Sequence, residues 1–261
     1  MCFDLDSRPP IAPIAGGALD STDLTLEAAD GNRFRAFRAR ATTPTGAGIL
    51  ILPDVRGLHP YYEELALRFA EHGIDALAID YFGRTAGLGG RAQGFEFMPH
   101  VDRLTWNGLA ADVGAGAAHL RMANERRVEA LFTIGFCMGG RLAFLTPTMR
   151  LELAGSIGLY GVPVGDGRAG MAAPADLAPD MANPVLGLFG AADPSIPPES
   201  VAAFEAALTK AGVEHRIVSY EGAPHSFFDR KADEFVEASR QAWEETLTFI
   251  RGRTPGIVTG A

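Results

Sequence analysis

Short, unbroken apolar runs alternate along this chain with longer stretches in which apolar residues return every third or fourth position. The runs at 48–53, 75–81, 131–136, 154–160, 184–190 and 215–220 read as strands, and the first is apolar enough to be covered on both faces. The stretches 61–72, 106–122, 199–211 and 232–251 have helical period, and Gly73 supplies a stop to the first of them. Upstream, 24–28 and 34–39 have strand character and flank Asp30-Gly31-Asn32, a strong hairpin turn signal. Strands alternating with helices predict a mostly parallel sheet wrapped on both faces by helices, with an antiparallel hairpin at its N-terminal edge. Neither a repeat nor a composition break divides the chain. One domain is expected over 21–252, between an irregular arm (1–20) rich in Pro, Gly and Ala and a short tail (253–261). Two Gly-rich segments lack period and read as long loops, 83–105 and 161–183, and loops of that length in a compact domain tend to be functional.

Composition narrows the class. A chain of 261 residues, 47% apolar and 21% charged, has enough material for a large core and too little charge for long disorder. Its net charge of −9 disfavours a phosphate-backbone partner, so no nucleic acid is expected. No apolar run reaches the roughly 18 residues of a membrane span, and the N-terminus lacks the pattern of a secretory signal. With only Cys2 and Cys137, a disulfide framework is not expected either. These features together predict a cytoplasmic enzyme without a membrane partner.

The chemistry centres on Gly135-Phe136-Cys137-Met138-Gly139-Gly140. A buried strand leads in and helical residues lead out, which is the strand–turn–helix setting of a nucleophile elbow with cysteine in the place of serine. Glycines beside the cysteine let strand and helix approach without a Cβ clash, and the thiol is set at a helix N-terminus that attracts negative charge. In such a sheet the loops after the strands converge on one rim. Asp193, in Gly190-Ala191-Ala192-Asp193-Pro194, and His225, in Gly222-Ala223-Pro224-His225-Ser226, both follow strands and project from that rim. Alone, Asp193 would be a turn former and His225 a solvated loop residue. Together with Cys137 they follow the order nucleophile–acid–histidine of the α/β-hydrolases. An oxyanion hole would take the N–H of Met138, the residue after the nucleophile, and one from the loop 53–57, with Val55 the expected donor.

These motifs, over most of the chain, resemble the dienelactone hydrolase family of α/β-hydrolases. The resemblance implies a Cys137–His225–Asp193 triad that hydrolyses small activated esters or lactones through a thioester, without metal or organic cofactor. Two positions depart from the family pattern. Where the family has a glutamate that contacts the resting thiol, this chain has Asp54, one methylene shorter, so Asp54 is the expected thiol-poising group. The family's two substrate-carboxylate arginines have no clear match. Arg230 lies near the required register, displaced by one place as Asp229 intrudes, and Arg84, Arg91 and Arg103 are available in the 83–105 loop. Arg84, Arg103, Arg230 and the aromatic Tyr160 are therefore the expected substrate-binding residues.

His59, His72, His100, His119 and His215 show no two-histidine spacing with a carboxylate, so no metal site is expected. A redox-active thiol would need Cys2, on the arm, as its resolving partner. A binding module without turnover would have no use for an oriented histidine–aspartate pair. A small ester or lactone is the partner the sequence points to.

Overall fold

A computed structural model of the chain describes residues 7–91, 94–122 and 128–256. Cys2, the start of the arm and the end of the tail lie outside these residues. Eight strands form one sheet: β1 (Ala18–Glu27), β2 (Arg33–Ala41), β3 (Ala47–Leu52), β4 (Asp75–Ile79), β5 (Ala130–Phe136), β6 (Gly155–Leu159), β7 (Val185–Gly190) and β8 (His215–Tyr220). Their order is β1-β2-β4-β3-β5-β6-β7-β8. β1 and β2 form the antiparallel hairpin and β2 joins β4 antiparallel, whereas every pair from β4 to β8 is parallel.

Strand period assigns the two faces. Ile49 and Ile51 of β3, with Ala76 and Ala78 of β4, enter one core cluster. The intervening Leu50, Leu52, Leu77 and Ile79 enter the other. On the first face lies helix α1 (Pro60–Glu71), whose Tyr61, Tyr62, Leu65, Ala66, Phe69 and Ala70 make one continuous apolar stripe. Proline at its first turn and Gly73 beyond its end, with Ile74 N–H donating to Phe69 O at 3.0 Å, set its limits. The second face is covered by α4 (Trp106–Met122) through Leu109, Val113 and Leu120.

Three boundaries differ from the sequence reading. β1 begins at Ala18, inside the expected arm, because Ala18 pairs with Ala41 across the hairpin. The loop 83–105 contains two single-turn helices, α2 (Gly83–Ala86) and α3 (Met98–Val101), too short to show a period. The remaining helices are α5 (Met138–Leu145), α6 (Pro198–Ala211) and α7 (Val236–Arg251). α7 starts four residues later than its apolar pattern, since 231–235 closes as turns. Among the described residues no helix is long and apolar enough to cross a membrane.

Candidate active site

Cys137 is the single residue between β5 and α5, and its backbone sits at φ 54°, ψ −112°. For a residue with a Cβ such a conformation costs about 1–3 kcal/mol and persists only where the surroundings impose it. Here the imposition is visible. Cys137 N–H donates to Leu159 O at 3.1 Å, and Arg141 N–H donates to Cys137 O at 3.1 Å. A Cβ on Gly135 would stand 1.9 Å from Gly139 O, and one on Gly139 would stand 2.1 Å from Leu52 O. Strand, helix and the loop after β3 thus meet through bare backbone. Tyr160 (φ 39°) and Ser226 (φ 60°) repeat the strain in the neighbouring loops.

The loop after β3 turns tightly, with Gly57 N–H donating to Asp54 O at 3.1 Å. Tyr81 Oη donates to Pro53 O at 2.9 Å, and Tyr62 Oη accepts the Asp54 N–H at 3.0 Å. Among the described residues the Val55 N–H donates to no protein group. Met138, at the first position of α5, has an N–H that the helix itself cannot satisfy. Both expected oxyanion donors therefore lie on segments, the loop after β3 and the first turn of α5, that touch through Gly139.

His225 Nδ1 meets Asp193 Oδ2 at 2.6 Å and Ser195 Oγ at 3.4 Å, and the ring also interacts with the Cys137 side chain. The three residues expected from the strand ends are brought together. Burial pulls the His225 pKa down, but the bonds to Asp193 and Cys137 outweigh it and lift the imidazole to about 10. Burial raises the Asp193 pKa, yet bonds from His225 and Ser195 hold it below the ordinary carboxylate value. Ser195 was not legible as a site residue: its N–H and Oγ both donate to Asp193 Oδ1, at 2.9 and 2.6 Å. Its only signal was an Asp followed two places later by a Ser, a common turn pattern. The fully buried Tyr160 ring lies 5.0 Å from the His225 ring and forms a wall of the site.

Asp54 has a different setting from the expected one. Its Oδ1 accepts the Arg56 N–H at 2.8 Å and Nε at 3.1 Å, and its Oδ2 accepts Arg56 Nε at 3.0 Å and Nη2 at 2.5 Å. Among the described residues no hydrogen bond joins it to Cys137. Burial pushes its pKa up, and the Arg56 guanidinium overcomes that and brings it below the ordinary value. Arg56 Nη2 also reaches Asp229 Oδ2. The acid that seemed to intrude after His225 is thus the second partner of a buried arginine. Beside them His59 is buried, and desolvation and Arg56 take its pKa down to about 4, which keeps it neutral.

Of the arginines that the sequence offers for a substrate, Arg84 and Arg91 are paired with aspartates. Arg84 pairs with Asp30 at 2.5 Å and with Asp112 at 2.9 Å. Arg91 is buried on Asp80 at 2.6 Å and lies over the Phe95 ring, organising the 83–105 segment. Arg103 is exposed. Arg230 is half-buried, with Nη2 3.5 Å from Ser226 Oγ. Arg141, one turn into α5, donates to the carbonyls of Val162, Val164, Gly165, Met171 and Ala172, fixing the 161–183 segment against the nucleophile helix.

A family model described as the dienelactone hydrolase family matches residues 34–253. A Salmonella typhimurium protein named "Putative carboxymethylenebutenolidase" is 28% identical over 260 residues, which cover 93% of each chain. A Bradyrhizobium protein named "Probable 2-oxo-3-(5-oxofuran-2-ylidene)propanoate lactonase" is 26% identical, over 90% of this chain and 94% of its own. Among solved structures, a protein from Klebsiella pneumoniae described as a "Putative Dienelactone Hydrolase" superposes with a TM-score of 0.72 at 27% identity. That match covers 88% of this chain and 98% of the other.

Proposed function

The chain belongs to the dienelactone hydrolase family, a family of hydrolases, and from that premise we propose that it cleaves small activated esters or lactones with Cys137 as nucleophile. The observation that carries this reading is the chain of contacts Asp193–His225–Cys137, ending at a thiol on a strained elbow. His225, lifted to about 10, already holds the proton of the thiol before the substrate arrives, and Asp193 stabilises that imidazolium. The sulfur attacks the carbonyl carbon, and the N–H groups of Val55 and Met138 hold the oxyanion. As the carbon–oxygen bond breaks, His225 gives its proton to the departing oxygen, leaving an acyl thioester on Cys137. Water then surrenders a proton to His225 and attacks the thioester, and the acid and free thiol are released.

The setting of the arginines favours substrates that do not depend on a carboxylate clamp from Arg84 or Arg91, because both are already paired with aspartates. The decisive experiment treats the protein with iodoacetamide, follows hydrolysis of an aryl ester and an enol lactone, and maps the adduct by peptide mass. Hydrolysis should fall in step with alkylation of Cys137 and not of Cys2. Full alkylation of Cys137 with unchanged turnover overturns the assignment.

A further inference from the structure

The Asp54–Arg56–Asp229 cluster joins two loops that the proposed chemistry needs to hold in register. Val55, the oxyanion donor, directly precedes Arg56, and His225 lies four residues before Asp229. The guanidinium is 2% exposed and grips Asp54 through two nitrogens while the same Nη2 reaches Asp229. Asp54 is separated from Arg56 by one residue, so that pair stiffens a single turn. Asp229 is 173 positions away, so the second contact spans from one loop to the other. Tyr61 Oη, donating to Phe228 O at 2.7 Å, adds a neutral tie beside it.

We propose that Arg56 is a positioning residue, which acts by fixing the Val55 N–H relative to His225. This rests on the cysteine–histidine reading above. Taking three charges out of water is unfavourable, and apolar residues of similar volume could fill the same space at least as stably. What an arginine adds is a planar fork of fixed donors, which sets the distance and orientation of both carboxylates at once. The same contacts hold both oxygens of Asp54, so the carboxylate that stands in the family's glutamate position works as a strut.

The test compares Arg56→Met, Arg56→Lys and Asp229→Asn with wild type in steady-state ester hydrolysis and in iodoacetamide labelling of Cys137. Alkylation needs the thiol and its histidine but no oxyanion donor, so it separates the positioning role from general damage. Arg56→Met is expected to lower kcat by about 10²-fold, the scale of an ångström-level misplacement, with KM and the labelling rate held within about threefold of wild type. Arg56→Lys, with a single donor point, should recover only part of the loss. Asp229→Asn leaves the Arg56–Asp54 pair in place and loosens only the link between loops, so it carries the test if Arg56→Met does not fold. Its kcat should fall in the same direction, and the Arg56→Met/Asp229→Asn double variant should be no worse than the poorer single. Wild-type kcat in Asp229→Asn, additive losses, or a labelling rate that drops as far as kcat each overturn the proposal. Failure of the cysteine reading shows separately, as wild-type turnover that survives alkylation of Cys137.

Discussion

Asp54 and Asp193 occupy nearly the same local structure and meet partners of different chemistry. Each follows the carboxyl end of a strand, and each Oδ1 accepts the N–H two residues on, at 2.8 Å in one and 2.9 Å in the other. Each carbonyl closes a turn on the N–H three residues on, at 3.1 and 3.2 Å. They diverge at the second oxygen. Asp193 Oδ2 meets an imidazole, and Asp54 Oδ2 meets a guanidinium. An imidazole can exchange its proton during a reaction, whereas a guanidinium keeps its protons at any pH the protein meets. The turn supplies an oriented carboxylate in both places. The partner brought in by the tertiary fold decides whether that carboxylate is suited to proton transfer or to geometry alone.

The sharpest break in that comparison is to neutralise each acid. Asp193→Asn should lower kcat by about 10³- to 10⁴-fold, because the amide misorients the imidazole and cannot stabilise its charge. Asp54→Asn should lower it far less, by about 10- to 10²-fold through loosened geometry. Equal losses in steady-state assays would erase the distinction.

Stability should rank the two in reverse. Removing Asp54 leaves the buried Arg56 guanidinium without its bidentate carboxylate, at a cost of about 3 kcal/mol in urea unfolding. Asp193→Asn should cost about 1 kcal/mol, since a partly exposed histidine can lose its proton in response.

pH provides a third contrast. The His225 pKa lies above the ordinary imidazole value of 6.5, at about 10, so its interactions add full stability below pH 6.5 and lose it as pH rises toward 10. The Asp193 pKa is depressed, so its share appears above the ordinary carboxylate value of 3.8 and fades on acidification. Unfolding free energy should therefore decline between pH 6.5 and 10 in wild type, and the decline should flatten in His225→Gln. An unchanged slope in that variant would place the alkaline loss elsewhere.

The smallest expected effect belongs to Ser195→Ala. It removes one hydrogen bond from Asp193 while leaving the backbone N–H bond, worth about 1 kcal/mol or about fivefold in kcat.

The residues that sequence could and could not place differ in how far their partners lie. The elbow was readable because the backbone itself demands small residues at Gly135 and Gly139 beside Cys137. Asp193 and His225 were readable because strand ends are readable. The roles of Arg84 and Arg56 were hidden for the opposite reason. Arg84 finds Asp30 and Asp112 at separations of 54 and 28 residues, and Arg56 finds Asp229 across 173. No local pattern carries such pairings, and an arginine in a loop looks the same whether it waits for a substrate or already holds an aspartate. The early start of β1 was hidden likewise, since only its pairing with β2 makes 18–20 a strand.

The five carbonyls that surround Arg141 carry a further consequence. A carbonyl oxygen has no proton to gain or lose, and arginine keeps its charge. The covering segment from 162 to 172 is thus moored by an attachment with no titration of its own. Acid that reaches Asp193, or alkali that reaches His225, leaves this mooring intact. The Arg141 contacts therefore hold the roof over the nucleophile helix in the same way whatever the charge of the groups beneath it.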